Sequence, residues 1–186
     1  ITAMSNKYDV VIVGGGPAGL ACALSFKDRP WRILLVEKRD WPIDKTCGEG
    51  IMPTGLRILH KLGVRPNGAP FHGIAYSTSD GAKRAEANFA EGPALAVRRL
   101  DLSNALWEAC RHQQNLELRP NCEARWLKSD ETGVHLQLGE QTVQCKFLIG
   151  ADGLHSPMRN QLGLSKPGRV YWRWGLRQHF AVNAWS

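Results

Sequence analysis

Apolar and polar positions along the chain fall first into a strand–turn–helix–strand unit. "YDVVIV" (Tyr8 to Val13) is an unbroken apolar run, "GGGPAG" interrupts it, and Leu20, Ala23 and Leu24 then recur at helical spacing. "RILLVEK" is a second apolar run ending at Glu37. Two short apolar runs joined through a helical pattern predict a βαβ unit with parallel strands.

The middle of the chain changes period. "PTGLRILHKLG" predicts a helix from Pro53, with Leu56, Leu59 and Leu62 inward and Gly63 as its stop. "FHGIAYSTSDGAKRAEANFA" predicts a hairpin around "SDG", and "PALAVRR" a strand. In "VRRLDLSNALWEAC" the residues Leu102, Leu106 and Cys110 form an i, i+4, i+8 stripe, a helix with Arg99 just ahead of it. From "NLELRP" to "FLIG" the chain alternates over several short strands, with turns at "DETG" and "LGEQ". "CKFLIGADGLHSPMRNQLGL" repeats the opening grammar: an apolar strand, a glycine turn at Gly150 and Gly153, then a helical stretch with Met158, Arg159 and Leu162. In the closing "YWRWGLRQHFAV", Trp172, Trp174, Leu176, Phe180 and Val182 share one face of an extended strand, and Tyr171, Arg173, Arg177 and His179 the other. The fold class is therefore α/β, a Rossmann-like unit with an antiparallel insertion and the start of a further sheet.

Composition narrows the picture. A chain of 186 residues with 43% hydrophobic and 22% charged residues can build one packed domain and part of a second. No apolar run reaches the roughly 20 residues of a membrane span, and "ITAMSNKYD" lacks a signal peptide's apolar core. The expectation is a cytoplasmic protein without an integral membrane segment, in which "ITA" before Met4 is an expression remnant. The net charge of +7 is spread along the chain and reads as a solvated surface; no basic-aromatic pattern of a nucleic-acid module appears. Cys22, Cys47, Cys110, Cys122 and Cys145 are odd in number and widely spaced, which argues against zinc and against a disulfide framework. Cys22 and Cys110 fall in helical patterns, Cys122 and Cys145 in strand-like ones, all as small hydrophobes.

The glycines carry the chemistry. Gly14, Gly16 and Gly19 make a G-x-G-x-x-G pattern: Gly14 for the tight turn, Gly16 for approach of a pyrophosphate, Gly19 for close packing of helix on strand. Pro17 suits the first helical turn, and the amides from Ala18 onward are left to face phosphates. Glu37, followed by Lys38, stands where an acid that binds a ribose diol belongs. By these residues the dinucleotide is NAD, NADP or FAD; the acid disfavours NADP without separating the other two.

The second glycine turn separates them. Asp152, Gly153, Ser156 and Arg159 resemble the "DG" fingerprint of the flavoprotein monooxygenase superfamily with the p-hydroxybenzoate hydroxylase fold. That family also carries an arginine at a helix start in its middle segment, which Arg99 matches, with Arg98 as a neighbouring candidate. "CGEGIMPTGLRILHKLG" is most similar to the branch that includes geranylgeranyl reductases. The resemblance implies a discontinuous FAD-binding domain over 4–70 and 94–165, and a partial substrate domain over 71–93 and 166–186. It implies FAD as cofactor and NADH or NADPH as reductant. The flavin then serves monooxygenation or double-bond reduction of a small, apolar substrate, as the cofactor's own chemistry.

The resemblance places Cys47 and Gly48 at the flavin's edge, with Gly48 and Gly50 allowing close approach of backbone to the ring. Cys47 is then either packing or reactive, and Glu49 either a general acid or a loop carboxylate bound to backbone amides. No catalytic residue is assigned. "YWRWGL" contains W-x-W but lacks the longer tryptophan and proline motif of the halogenase branch. The family continues beyond the "DG" region, so the sequence reads as the FAD-binding part and the opening of the substrate part. The bare closing strand predicts self-association or pairing with the remainder of a longer chain. The rival readings are a non-catalytic nucleotide-binding fragment and an NAD-dependent dehydrogenase; the latter leaves the "DG" turn unexplained.

Overall fold

A computed structural model describes residues 6–166 and 174–182. Strand β1 (Lys7–Val13), helix α1 (Pro17–Leu24) and strand β2 (Ile33–Val36) form the opening unit. Strand β3 (Gly50–Ile51) and helix α2 (Pro53–Lys61) follow, then β4 (Ala69–Phe71), β5 (Gly73–Ser77), β6 (Arg84–Asn88) and β7 (Ala94–Ala96). Helix α3 (Arg99–Arg111) leads into β8 (Leu116–Arg119), β9 (Ala124–Asp130), β10 (Gly133–Leu138), β11 (Gln141–Gly150) and helix α4 (Pro157–Gln161).

The principal sheet has six strands in the order β8-β2-β1-β11-β10-β9. The first four run parallel, while β10 and β9 are antiparallel additions at one edge. Parallel strands need cover on both faces, and the sequence provides it: Val10, Val11, Ile12 and all of Ile33 to Val36 are buried. Each such side chain contributes about 1.5–3 kcal/mol relative to exposure. One core lies where Leu20, Ala23 and Leu24 of α1 and Leu106 and Cys110 of α3 meet Val10, Ile12, Ile33 and Leu35. The other joins Val11, Val13, Leu34 and Val36 to Leu136, Leu138, Val143 and Met158. The antiparallel segment expected from the alternating pattern is thus inserted in the chain between two parallel strands and sits at the sheet's rim.

The expected hairpin forms as β5–β6, a two-stranded sheet whose residues are almost all exposed. A three-stranded sheet, β3-β7-β4, sits beside α2. Three local expectations need correction. Arg99 is the first residue of α3 rather than the residue ahead of it, with Arg98 as N-cap. Cys122 lies in the connection between β8 and β9, where its N–H donates to the Glu37 carbonyl at 2.9 Å, rather than in a strand. The closing segment forms no strand over 174–182, since the described residues offer it no ladder partner. Its alternation persists all the same: Trp174, Leu176, Phe180 and Val182 are exposed, and Arg177 and His179 turn the other way onto the protein. Tyr171, Trp172 and Arg173 lie outside the described residues.

Candidate cofactor site

The parallel strands β1, β2 and β11 end together, and their carboxyl ends are stitched side by side. The Gly14 N–H donates to the Val36 carbonyl at 2.8 Å, and the Ala151 N–H to the Val13 carbonyl at 2.7 Å. The crevice outside these ends is where open α/β sheets bind ligands.

The first glycine turn is made by absence of side chains. Gly14 has φ +112, a region that L residues avoid, and a Cβ on it would overlap the Ala151 carbonyl. A Cβ on Gly19 would overlap the Gly14 carbonyl, so α1 can lie this close to the turn with nothing larger than hydrogen there. Gly16 differs: an added Cβ there would meet nothing within 4 Å, because it faces open space. Gly16 caps α1 with extended backbone and Pro17 opens the helix, so the first-turn amides of Ala18 and Gly19 have no acceptor within the helix.

Sequence reasoning missed the middle glycine. A Cβ on Gly15 would clash with the Trp41 indole and fall 2.9 Å from the Glu37 Cβ. Trp41 in turn stacks on Trp107 of α3, ring centroids 3.6 Å apart. The third consecutive glycine in "GGGPAG" was the available signal. Glu37 contributes as well: its Oε2 accepts from the Gly15 N–H at 2.7 Å and its Oε1 from the Arg39 N–H at 3.0 Å.

The second turn is made by side chains. Asp152 Oδ2 accepts from the Met158 N–H at 3.0 Å, and the buried Ser156 Oγ accepts from the Arg159 N–H at 2.9 Å. The Arg159 guanidinium returns to the Leu154 carbonyl at 2.8 Å. Gly153 supplies the left-handed residue at φ +90.

Between the two turns lies a cavity of ≈ 660 Å³, within the usual range of small-molecule sites. Of the residues singled out by sequence, Gly14, Gly16, Pro17, Ala18, Glu37, Lys38, Arg99, Asp152 and Gly153 line it. Gly19, Cys47 and Gly48 do not. Gly19 is buried behind Gly14; the Cys47 sulfur accepts from the Glu49 N–H at 3.4 Å within its own loop; Gly48 is exposed. Gly50 is likewise spent elsewhere, pairing with Ala96 in the small sheet and facing Phe71. Lys45 and Thr46 line the cavity in place of Cys47, as do Arg39, Cys122 and His155. Lys45 and Thr46 stand just ahead of Cys47 in "KTCGEG", whereas nothing in the sequence marks the connection that carries Cys122.

Of the two candidate arginines, Arg98 is exposed and Arg99 is half-buried on the cavity wall. The Arg99 Nε is buried and has no partner among the described residues. A buried donor without an acceptor costs free energy unless a ligand satisfies it, and this one borders the cavity. The lining thus joins Lys38, Arg39, Lys45 and Arg99 to carboxylates that already hold backbone amides, which suits a ligand carrying negative charge.

Glu49 sits behind this wall. Its Oε1 accepts from the Arg99 N–H and from Arg177 Nη1, each at 2.9 Å, and its Oε2 lies 2.6 Å from His179 Nε2. The bond with His179, and then that with the Arg99 N–H, hold its carboxyl below the ordinary carboxylate range. It therefore stays ionised at neutral pH, held by one backbone amide, a guanidinium and an imidazole. Burial pushes the Cys110 thiol up to about 12 and the Cys145 thiol to about 11, as packed, unreactive thiols.

Comparison with known proteins gives the geometry a context. The chain is 30% identical over 167 residues to a menaquinone reductase of Mycobacterium tuberculosis, covering 86% of this chain and 41% of the relative. It is 27% identical over 173 residues to a rifampicin monooxygenase of Streptomyces venezuelae, covering 87% of this chain and 35% of that protein. The chain thus spans about two fifths of the curated relatives it matches. The crystal structure of PqsL of Pseudomonas aeruginosa, described as a probable FAD-dependent monooxygenase, superposes with a TM-score of 0.77 at 19% identity, over 89% of this chain and 48% of that one. That likeness shows the fold, the α/β architecture of p-hydroxybenzoate hydroxylase type. The family model described as "FAD binding domain" matches residues 7–180, and the chain belongs to that family.

Proposed function

We propose that the cavity between the two glycine turns holds FAD, and that the chain is the cofactor-holding part of an FAD-dependent oxidoreductase. The observation that carries this reading is the buried Nε of Arg99, without a partner among the described residues, on the wall of a cavity bounded by both turns. The residues present suit the cofactor. The free amides of Ala18 and Gly19 and the open space at Gly16 accommodate a diphosphate. Each Glu37 oxygen holds one backbone amide and keeps a second lone pair for a ribose hydroxyl. Arg99, Lys38 and Lys45 supply donors and positive charge along the wall. FAD, reduced by NADH or NADPH, would supply the redox chemistry, either monooxygenation or double-bond reduction of a small, apolar molecule. One relative named a monooxygenase and another named a reductase support oxygenation and reduction as the two classes of chemistry. Residues 4–70 and 94–165 serve the cofactor in this reading, and 71–93 and 166–186 the substrate-facing sheet.

The test is titration of the purified chain with FAD and with NAD, followed by visible absorbance and flavin fluorescence. Saturable uptake of FAD with a perturbed flavin spectrum is the expected result. Uptake of NAD in preference to FAD would make the protein a dehydrogenase, and uptake of neither would overturn the assignment of the cavity.

A further inference from the structure

The segment 174–182 carries its polar residues onto one place. Arg177 Nη2 grips Asp44 with bonds of 3.0 and 2.8 Å to its two oxygens, and Nη1 reaches Glu49 at 2.9 Å and the Lys45 carbonyl at 3.4 Å. His179 takes the other Glu49 oxygen. A Cβ on Gly175 would stand 3.3 Å from Thr46 Cγ2, so the segment lies directly on the loop 44–49. Glu49 itself is held at φ 56, a conformation disfavoured for a residue with a Cβ and kept where surrounding contacts over-determine it. Those contacts run onward, since the Glu49 carbonyl accepts from the Val97 N–H at 2.7 Å and its carboxylate from the Arg99 N–H. Lys45, Thr46 and Arg99 all line the cavity.

We infer that Arg177 and His179 are positioning residues: through Glu49 they set Lys45, Thr46 and Arg99 on the cavity wall and so link docking of the closing segment to occupancy of the cofactor cavity. The linkage rests on the FAD reading above, whereas the clamp itself does not. Arg177 has 22% of its side chain exposed and Glu49 16%, so the pair is shielded enough to hold geometry, not a loose surface contact. The lowered titration of Glu49 keeps the acceptor charged across the neutral range. The opposite face of the segment, with Trp174 85%, Leu176 98% and Phe180 71% exposed, takes no part in the clamp. By reciprocity, a filled cavity must hold the segment down as strongly as the segment favours filling.

The experiment uses R177A, H179A and the double variant of this chain. Amide hydrogen exchange without ligand should show the Arg99 N–H exchanging at least tenfold faster in the double variant, with amides of β1 and β2 unchanged. Titration should then show FAD binding weakened about tenfold, while the melting temperature stays near that of the wild type because no core residue is touched. R177K, which keeps the charge but loses the two-pronged grip on Asp44, should restore binding in part. Unchanged exchange at Arg99 would overturn the clamp. Faster exchange with equal FAD affinity in wild type and variants would overturn the linkage alone. A wild-type chain that takes up no FAD would remove the cofactor reading and the linkage together, and the exchange result would still report the clamp.

Discussion

The two glycine turns that bound the cavity do the same job by opposite means. The first, Gly14 to Gly19, is built by removing side chains, so that carbonyls, an indole and a helix can occupy the space where Cβ atoms would stand. The second, Gly150 to Ser156, is built by adding them, with Asp152 and Ser156 taking up the free amides at the start of α4. They meet where the missing Cβ atoms of Gly14 and Gly19 leave room for Ala151 and Asp152. Where neighbours fill the space of the absent atoms, as at Gly14, Gly15 and Gly19, a turn of this kind is intolerant of any addition; one made of hydrogen bonds loses its bonds one at a time. The first should therefore fail abruptly on substitution at those three positions and the second by degrees.

The largest expected effect follows from Gly19. In Gly19→Ala the new methyl meets the Gly14 carbonyl, which is backbone and cannot rotate away, so α1 must shift off the turn. Overpacking of this kind costs about 1–3 kcal/mol and more where the neighbour is fixed. Urea unfolding should show a loss at or above the top of that range; a loss below about 1 kcal/mol would mean the helix accommodates the methyl and the first turn is not built as described.

Gly16 sharpens the contrast within the same motif. Nothing lies within 4 Å of its missing Cβ, so Gly16→Val should leave stability within about 0.5 kcal/mol of wild type while FAD uptake is lost, because the side chain fills the space a diphosphate needs. Normal flavin content in this variant would place the phosphates elsewhere. Stability lost together with binding would show that Gly16, like Gly19, is a packing glycine.

This division shows how much was legible in the sequence. The first motif stood out because glycine is the residue that steric absence requires, and three of its positions were assigned mechanical tasks on that ground. The fourth, Gly15, carried no such label, since its requirement comes from Trp41, a contact across the fold that no local spacing encodes. The α/β order and the antiparallel insertion followed from period alone, because buried parallel strands must read as continuous apolar runs. Cys47 drew attention through the family resemblance of its glycine-rich loop, whereas the residues of that loop that line the cavity are Lys45 and Thr46, whose long or branched side chains extend from it. The Glu49 clamp was invisible, being assembled from Asp44, Glu49, Arg99, Arg177 and His179 out of three separate stretches.

Glu37 is where the first turn does use a side chain, which makes it an intermediate case. Glu37→Ala should weaken FAD binding by about 1–3 kcal/mol through loss of a charged partner for the ribose. It also releases the Gly15 and Arg39 amides, so a smaller stability loss should accompany it. Isothermal titration of FAD into the apoprotein measures the first effect; unchanged affinity would mean the carboxylate serves the turn alone.

The smallest effects belong to the second turn and test its gradual character. Ser156→Ala removes a buried N-cap and should cost about 1 kcal/mol, whereas Ser156→Asp, which keeps an acceptor for the Arg159 N–H, should cost less. Asp152→Ala releases the Met158 N–H and should cost a similar amount, about 0.5–1.5 kcal/mol. Both bonds hold the same helix start, so the double variant asks whether they are separate or one device. Independent bonds add, while a shared one shows a coupling of about 0.5 kcal/mol or more in a double-mutant cycle. Two single losses of this size that sum in the double, with each variant still folding cooperatively in urea, are the outcome expected of a turn built from individual hydrogen bonds. A collapse on either single substitution would erase the distinction between the two turns.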